Sequence, residues 1–192
     1  MFSASASATC HETASGTASA TGNSLNEAIT EGINLANTAA FFSLTKPPHP
    51  PKDVHSCKYC VFSCIDFRFV DDTGYYMNIH GNCNNYDQFV LAGASLGYNG
   101  IPGYENWILF GNQNIQLSHN LHEITEVNIF DHLNCGAYKL VYTPEQLAGD
   151  GEYELHVENL NKAQETLLSK FSFLTKVNKF IINMDYEVIQ IP

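Results

Sequence analysis

Read for its hydrophobic and polar positions, the chain changes character near residue 54. Beyond that point short apolar runs alternate with longer stretches of helical period. Residues 59–65, Tyr-Cys-Val-Phe-Ser-Cys-Ile, form a run of β-branched, aromatic and small apolar side chains that predicts a buried strand. Runs at 88–92, 127–130, 180–183 and 187–191 predict four more. Between them, residues 104–123 carry Ile108, Ile115, Leu117 and Leu121 with a helical rhythm. Residues 156–171 repeat Leu160, Ala163, Leu167 and Phe171 at three- and four-residue steps, a clearer helical face. Strands separated by helix-length segments need crossover connections, which favour parallel pairing. The predicted fold class is therefore α/β: a mostly parallel central sheet flanked by helices, over residues 54–192.

Upstream the pattern weakens. Residues 1–23 are rich in Ser, Ala and Thr and predict a disordered tail. In residues 24–53, Asn23 or Ser24 can cap a helix whose Leu25, Ile29, Ile33, Leu35 and Ala36 fall roughly on one face. The segment Pro47-Pro48-His49-Pro50-Pro51 must end that helix and run on as an extended connector. The organisation expected is a tail, an N-terminal helical arm, and one α/β domain.

Charge narrows the function classes. The formal net charge is −11, with only nine Lys and Arg. Nucleic acid and anionic membrane surfaces are poor partners for such a chain, because both require basic side chains to displace counterions. No apolar run approaches the roughly 18–20 residues of a membrane span. The N-terminus has no basic segment leading into an apolar one, so a cytoplasmic location is expected. In a reducing compartment the six cysteines, at 10, 57, 60, 64, 83 and 135, point to metal binding, catalysis or inert burial before disulfides.

Position relative to the strands decides among these. Cys64-Ile65-Asp66-Phe67-Arg68 stands at the end of the first core strand, and Asp131-His132-Leu133-Asn134-Cys135-Gly136 at the end of the third. In open α/β sheets ligands bind outside the carboxyl ends of the strands, so the two segments can meet. Two thiolates and an imidazole suit zinc, and three protein ligands leave a fourth position for water. Bound there, water becomes hydroxide near neutral pH. Two thiolates leave the metal with no net charge, which raises the importance of nearby groups. If the strand stays extended, Cys64, Asp66 and Arg68 project to one side. Arg68 can then hold Asp66 by a bidentate pair, and Asp66 can accept a hydrogen bond from the metal's water.

The order C-x-D-x-R, an Ala-Gly strand end, a helix, then H-x-x-C-G resembles the β-class carbonic anhydrases. The form Asp-His-x-x-Cys-Gly-Ala-Tyr is similar to a divergent carbonic-anhydrase-like subgroup. The matching residues are Cys64, Asp66, Arg68, Ala92, Gly93, His132, Cys135 and Gly136. The resemblance implies a β-carbonic-anhydrase-like fold and Zn2+ held by Cys64, His132 and Cys135. It also implies an Asp66–Arg68 dyad governing the metal-bound water, and reversible hydration of CO2 to bicarbonate, a lyase activity. The expected partners are the small-molecule substrate and further copies of the chain, in a homodimer or higher homo-oligomer embraced by the N-terminal helix. Two departures from the family pattern stand out. Val90-Leu91-Ala92-Gly93-Ala94 replaces Arg-Asn-Ala-Gly-Asn, and Asp131 replaces the Gly before the ligand His. Two alternatives stay open: a hydrolase of COS or CS2 on the same zinc site, and a non-catalytic zinc protein with Asp66 as fourth ligand.

Other candidates receive plainer readings. Cys57-Lys58-Tyr59-Cys60 precedes a strand, where a redox motif would follow one, and is expected to be an inert pair with Cys60 buried. His80, His119, His122 and His156 are expected at the surface or satisfied by hydrogen bonds. Asp131 suits either a group hydrogen-bonded beside the metal ligand or a turn. Phe67, Tyr86, Phe89, Ala92 and Gly93 are candidates to line a small-substrate pocket. Gly93 to Gly103 lacks any phosphate-loop pattern.

Overall fold

A computed structural model describes residues 2–10, 14–22 and 50–192. They fall in two compact units: the N-terminal segments with residues 50–54 and 77–84, and residues 55–76 with 85–192. In the first unit, β1 (Phe2–Cys10) and β2 (Ala14–Gly22) pair antiparallel, Phe2 opposite Gly22 and Cys10 opposite Ala14. Where the sequence reading has a disordered tail, the alternation of Ser or Thr with Ala runs as two paired strands, the two-residue period of an extended chain. The helix expected within residues 24–53 lies outside the described residues.

The second unit carries β3 (Tyr59–Ser63), a 3-10 turn (Phe67–Phe69), the start of α1 (Val70–Ile79), and β4 (Tyr86–Val90). It continues with α2 (Ser95–Asn99), α3 (Trp107–His122) and β5 (Glu126–His132). The chain ends with α4 (Tyr138–Val141), α5 (Gly151–Lys170), β6 (Lys176–Ile182) and β7 (Val188–Ile191). The strands order as β4-β3-β5-β6-β7. All neighbours are parallel except β6 and β7, which form an antiparallel edge pair. The α/β class with a mostly parallel sheet is thus the observed architecture.

The strand order places the site. From β3 the chain moves outward to β4, then jumps back across β3 to β5 and continues the other way. The order therefore reverses between β3 and β5, and the carboxyl ends of these two strands flank the crevice where such sheets bind ligands.

Both faces of the sheet are covered. On one, Cys60, Phe62, Val127, Ile129, Val177 and Ile181 pack with Ile115 of α3 and Leu160, Ala163 and Leu167 of α5. On the other, the Tyr76 ring of α1 meets Phe130 at 5.5 Å and Phe180 at 4.9 Å between centroids. Lys179 is buried on the helical face because its ammonium donates to Asn161 Oδ1, 2.7 Å, and to the Pro192 carbonyl. Such pairing is what lets a lysine sit in a core. Among the described residues no helix is long and apolar enough to cross a membrane.

The differences from the sequence pattern have local causes. Helix α1 escapes a periodicity reading because Thr73, Gly74 and Asn78 interrupt its apolar face. Helices α2 and α4 are too short to display a period. Strand β4 begins at Tyr86, and Leu91-Ala92, expected inside it, belong to the turn that follows. Helix α5 starts at Gly151, a turn and more before the expected His156.

Ile129, fully buried in central β5, tests the core. Ile129→Ala should lower the unfolding free energy by about 2–5 kcal/mol in urea titrations. Leu121→Ala, on the exposed face of α3, should stay within about 0.5 kcal/mol of wild type.

Candidate metal centre

Strand β3 ends at Ser63, so Cys64 emerges at the carboxyl edge of the sheet. His132 is the last residue of β5, and Cys135 follows three residues later in the turn toward α4. That turn is tight because Asn134 takes a left-handed backbone, φ 57°, a conformation Asn tolerates better than most residues. The fold thus brings Cys64, His132 and Cys135 together, with their donor atoms all within 4.8 Å of one another.

The geometry suits a metal ion. The Cys64 and Cys135 sulfurs lie 3.9 Å apart. Two thiolates on one tetrahedral zinc, with bonds near 2.3 Å, would sit roughly 3.8 Å apart. His132 Nδ1 meets the Leu133 carbonyl oxygen at 2.9 Å. A carbonyl only accepts, so Nδ1 carries the hydrogen and the Nε2 lone pair is free. That Nε2 is buried and has no hydrogen-bond partner. Leaving it so costs on the order of 1–3 kcal/mol, a cost that a coordinated cation removes. The Phe69 ring stacks on the imidazole at 4.3 Å and fixes its plane.

Electrostatics point the same way. The Cys64 thiol is pulled well below the usual range by the Cys135 thiol donating to it, against the opposing effect of burial, and the Gly93 N–H adds to the pull. Cys135 is pushed up by that same donation and by burial. A cation would take the place of the shared proton.

The loop after β4 supplies one of those donors. Gly93 N–H points at Cys64 Sγ, 3.3 Å away. Gly93 has φ +74°, and a Cβ there would come within 2.9 Å of the Ala137 Cβ. Ala94 follows at φ 38°, ψ −97°, a strained backbone for a residue with a side chain.

Asp66 and Arg68 stand beside the donors by a route the sequence reading does not have. The chain is no longer a strand: Asp66 caps the 3-10 turn, accepting from the Arg68 backbone N–H at 3.1 Å. Arg68 then folds back, with Nε donating to Oδ1 at 2.9 Å and Nη2 to Oδ2 at 2.7 Å. Nη2 also donates to the Asn134 carbonyl, 3.2 Å, which ties the dyad to the turn carrying Cys135. The Arg68 guanidinium holds Asp66 down to about 2. The carboxylate Oδ2 is 3.8 Å from His132 Nε2.

An apolar cavity of about 720 Å³ opens over these groups, lined among others by Phe67, Ala92, Ile101, Tyr104, Trp107 and Leu140. Phe67 and Ala92 are where the sequence reading has them. Tyr86 and Phe89 are not: Tyr86 opens β4 at the far end of the strand, and Phe89 packs edge-on against Phe62 in the core, 5.0 Å between centroids. Ile101 and Tyr104 reach the cavity from a loop, Trp107 from the first position of α3, and Leu140 from the short α4.

Asp131 is neither solvent-facing nor a turn residue. It is buried in β5, where Oδ1 accepts from the Ser95 N–H at 3.0 Å. Oδ2 accepts from Ser95 Oγ at 2.5 Å, Tyr138 OH at 3.1 Å and His156 Nδ1 at 2.8 Å. His156 is thus a buried, hydrogen-bonded histidine. Burial pushes it down, but Asp131 and Glu152 outweigh that and raise it. Glu152 in turn accepts the Cys135 backbone N–H at 3.0 Å, a contact that sequence reasoning missed. The one available signal was the four-residue spacing of Glu152 and His156 on α5.

Asp131→Ala would strand several buried donors at once. It should cost about 3–5 kcal/mol at fixed zinc occupancy, and Asp131→Asn less. A loss below about 1 kcal/mol in urea unfolding would show that this cluster does not hold the strand end.

Residues 54–192 match the family model described as "Putative carbonic anhydrase". An uncharacterized protein of Rickettsia bellii (strain RML369-C) is 34% identical over 141 residues, 73% of this chain and 85% of its own length. An uncharacterized protein of Rickettsia conorii (strain ATCC VR-613 / Malish 7) is 35% identical over 141 residues, 73% of this chain and 75% of its own. Among solved structures, a β-carbonic anhydrase of Trichomonas vaginalis aligns with TM-score 0.44 and 15% identity, covering 84% of this chain and 96% of that one. A tetrameric β-carbonic anhydrase of Sordaria macrospora gives TM-score 0.41 and 14% identity, over 84% and 95% of the two chains. On the family match, which spans the whole α/β domain and its Cys/His/Cys cluster, the chain belongs to this carbonic-anhydrase family.

Proposed function

We propose that the chain is a zinc-dependent carbonic anhydrase, hydrating CO2 reversibly to bicarbonate, with Cys64, His132 and Cys135 as zinc ligands. The observation that carries this reading is a Cys/His/Cys donor set with an ionised carboxylate pinned beside it under an apolar cavity. Zinc, when bound, supplies Lewis acidity that lowers the pKa of a coordinated water toward neutrality.

The chain's own groups do the rest. Asp66 accepts a hydrogen bond from the attacking water and turns its lone pair toward substrate. Arg68 occupies both carboxylate oxygens, and so keeps Asp66 an acceptor and hinders it from becoming a fourth ligand. Ile101, Ala137 and Trp107 surround the site with apolar surface. Such walls suit an uncharged substrate without hydrogen-bonding needs and disfavour retention of an anionic product.

We also propose that the working form is a homo-oligomer. Ile65, Phe67 and Leu140 rim the cavity with 63%, 86% and 75% of their surface exposed. Apolar side chains clustered in this way mark an association surface. A second copy would wall the cavity and exclude water. Light scattering behind a sizing column should report at least a dimer, and Phe67→Asp should shift it toward monomer.

Stopped-flow CO2 hydration on protein of known zinc content tests the chemistry. Asp66→Ala should cost about 10²-fold or more in kcat with zinc retained. Arg68→Ala should also lose activity, and not through titration. Without Arg68 the Asp66 carboxyl returns toward about 3.9, still ionised at assay pH. Because the folded-state value is depressed, the stability this pair contributes is present above pH ~4 and lost as pH falls through about 2. Cys135→Ser should lose the zinc of this centre and weaken the fold; zinc content equal to that of wild type would sink the ligand assignment. Zinc that is lost in Cys135→Ser, without CO2 hydration but with sulfide release from COS or CS2 in wild type, would move the substrate and keep the site.

A further inference from the structure

We infer that Cys57, Asp87 and His122 form a second zinc site, at the end of the sheet opposite the first. The three residues come from different elements: the segment before β3, the second position of β4, and the last residue of α3. Their donor atoms lie within 4.8 Å of one another, and all three are part-exposed, so an ion can reach them.

Backbone bonds hold the donors in place. The Cys57 N–H donates to the His122 carbonyl at 2.8 Å, locking those two residues together. Lys58 and Tyr59 N–H groups bond to Asn85, at 3.0 Å to Oδ1 and 3.4 Å to its carbonyl. In the ladder, Asp87 pairs with Cys60. The frame is therefore set whatever the side chains bind.

The side chains leave room for a cation's chemistry. His122 Nδ1 stands 2.9 Å from both Asp87 oxygens, with one ring nitrogen facing the whole carboxylate. The Cys57 thiol, which packs against the edge of the core, makes a long contact of 3.7 Å to the Tyr59 carbonyl and lies within 4.8 Å of the Asp87 and His122 donor atoms. The thiol and the Asp87 carboxylate face each other within reach of one shared cation. A set of one thiolate, one imidazole and one carboxylate matches zinc, with water completing the coordination. The site is independent of the carbonic anhydrase reading, since it shares no residue with the first centre.

The test counts metal on the full chain. After zinc loading and passage over a desalting column, wild type should hold about two zinc equivalents by mass spectrometry, and Cys57→Ser about one. Cys57→Ser should keep whatever CO2 hydration wild type shows, since Cys57 lies outside the first centre. Zinc should also raise the melting temperature of a Cys64→Ser, Cys135→Ser double variant, and adding Cys57→Ser to that variant should abolish the rise. One equivalent in wild type that disappears in Cys135→Ser would overturn the proposal, as would two equivalents retained in Cys57→Ser. Were Cys57→Ser to misfold, Asp87→Asn decides the same question: about one equivalent supports the site, two reject it.

Discussion

Two sulfurs 3.9 Å apart and an unpaired imidazole nitrogen sit in a buried crevice, an arrangement that folding alone does not favour. Each buried polar group without a partner costs free energy, and this centre gathers three potential metal-donor atoms, one of them an imidazole nitrogen with no hydrogen-bond partner. The surrounding structure supplies the constraint that holds them there. The strand order reverses between β3 and β5, so their carboxyl ends cannot be closed over by a direct connection. The loops that follow must turn away, and in doing so they present Cys64, Gly93 and Cys135 to one point. The loop after β4 contributes to the same arrangement: Gly93 takes a positive φ that glycine adopts freely as its N–H reaches sulfur, and the strain falls on Ala94 beside it.

The register of β5 divides labour between adjacent residues. His132 and Asp131 point to opposite faces, as neighbours in a strand must. One face presents the imidazole to the sulfurs. The other presents a carboxylate that gathers Ser95 from α2, Tyr138 from α4 and His156 from α5. An apolar side chain at 131 would bury area but fix no direction. A carboxylate with four donors fixes three elements relative to the strand end, and Glu152 carries that fixation on to the Cys135 N–H. Asp131 therefore builds structure behind the site, on the face of β5 opposite the one that carries the imidazole.

Much of this was legible because strand runs and donor residues obey short-range rules. A seven-residue apolar run announces β3, and Cys64 and His132 fall at strand ends that an α/β sheet turns into a ligand crevice. The pairing of Arg68 with Asp66 was legible as chemistry but not as geometry. The i, i+2 spacing suggests an extended chain, whereas the residues meet because Asp66 caps a turn and Arg68 folds back. What stayed hidden depends on tertiary packing. Phe89 looks like any aromatic near a site, and only its contact with Phe62 assigns it to the core. Glu152 and His156 lie some twenty residues beyond the motif, on a helix whose early boundary no periodicity marks. Cys57 read as half of an inert pair because its partners, Asp87 and His122, come from distant elements.

Helix α3 links the two ends of the domain. Its first residue, Trp107, lines the cavity over the Cys/His/Cys cluster, and its last, His122, sits with Cys57 and Asp87. Between them, Ile115 is fully buried against the sheet, so the helix cannot slide without disrupting the core. Strand β3 spans the same distance in the opposite direction, from the Cys57 segment to Cys64. A cation at the amino end would clamp the start of β3 to the end of α3, and that clamp acts on the same two elements that set the cavity wall and the first thiol. Because packed elements move as units, order imposed at one end restricts tilt at the other. A cation there would thus brace the frame that carries Cys64 and the cavity wall.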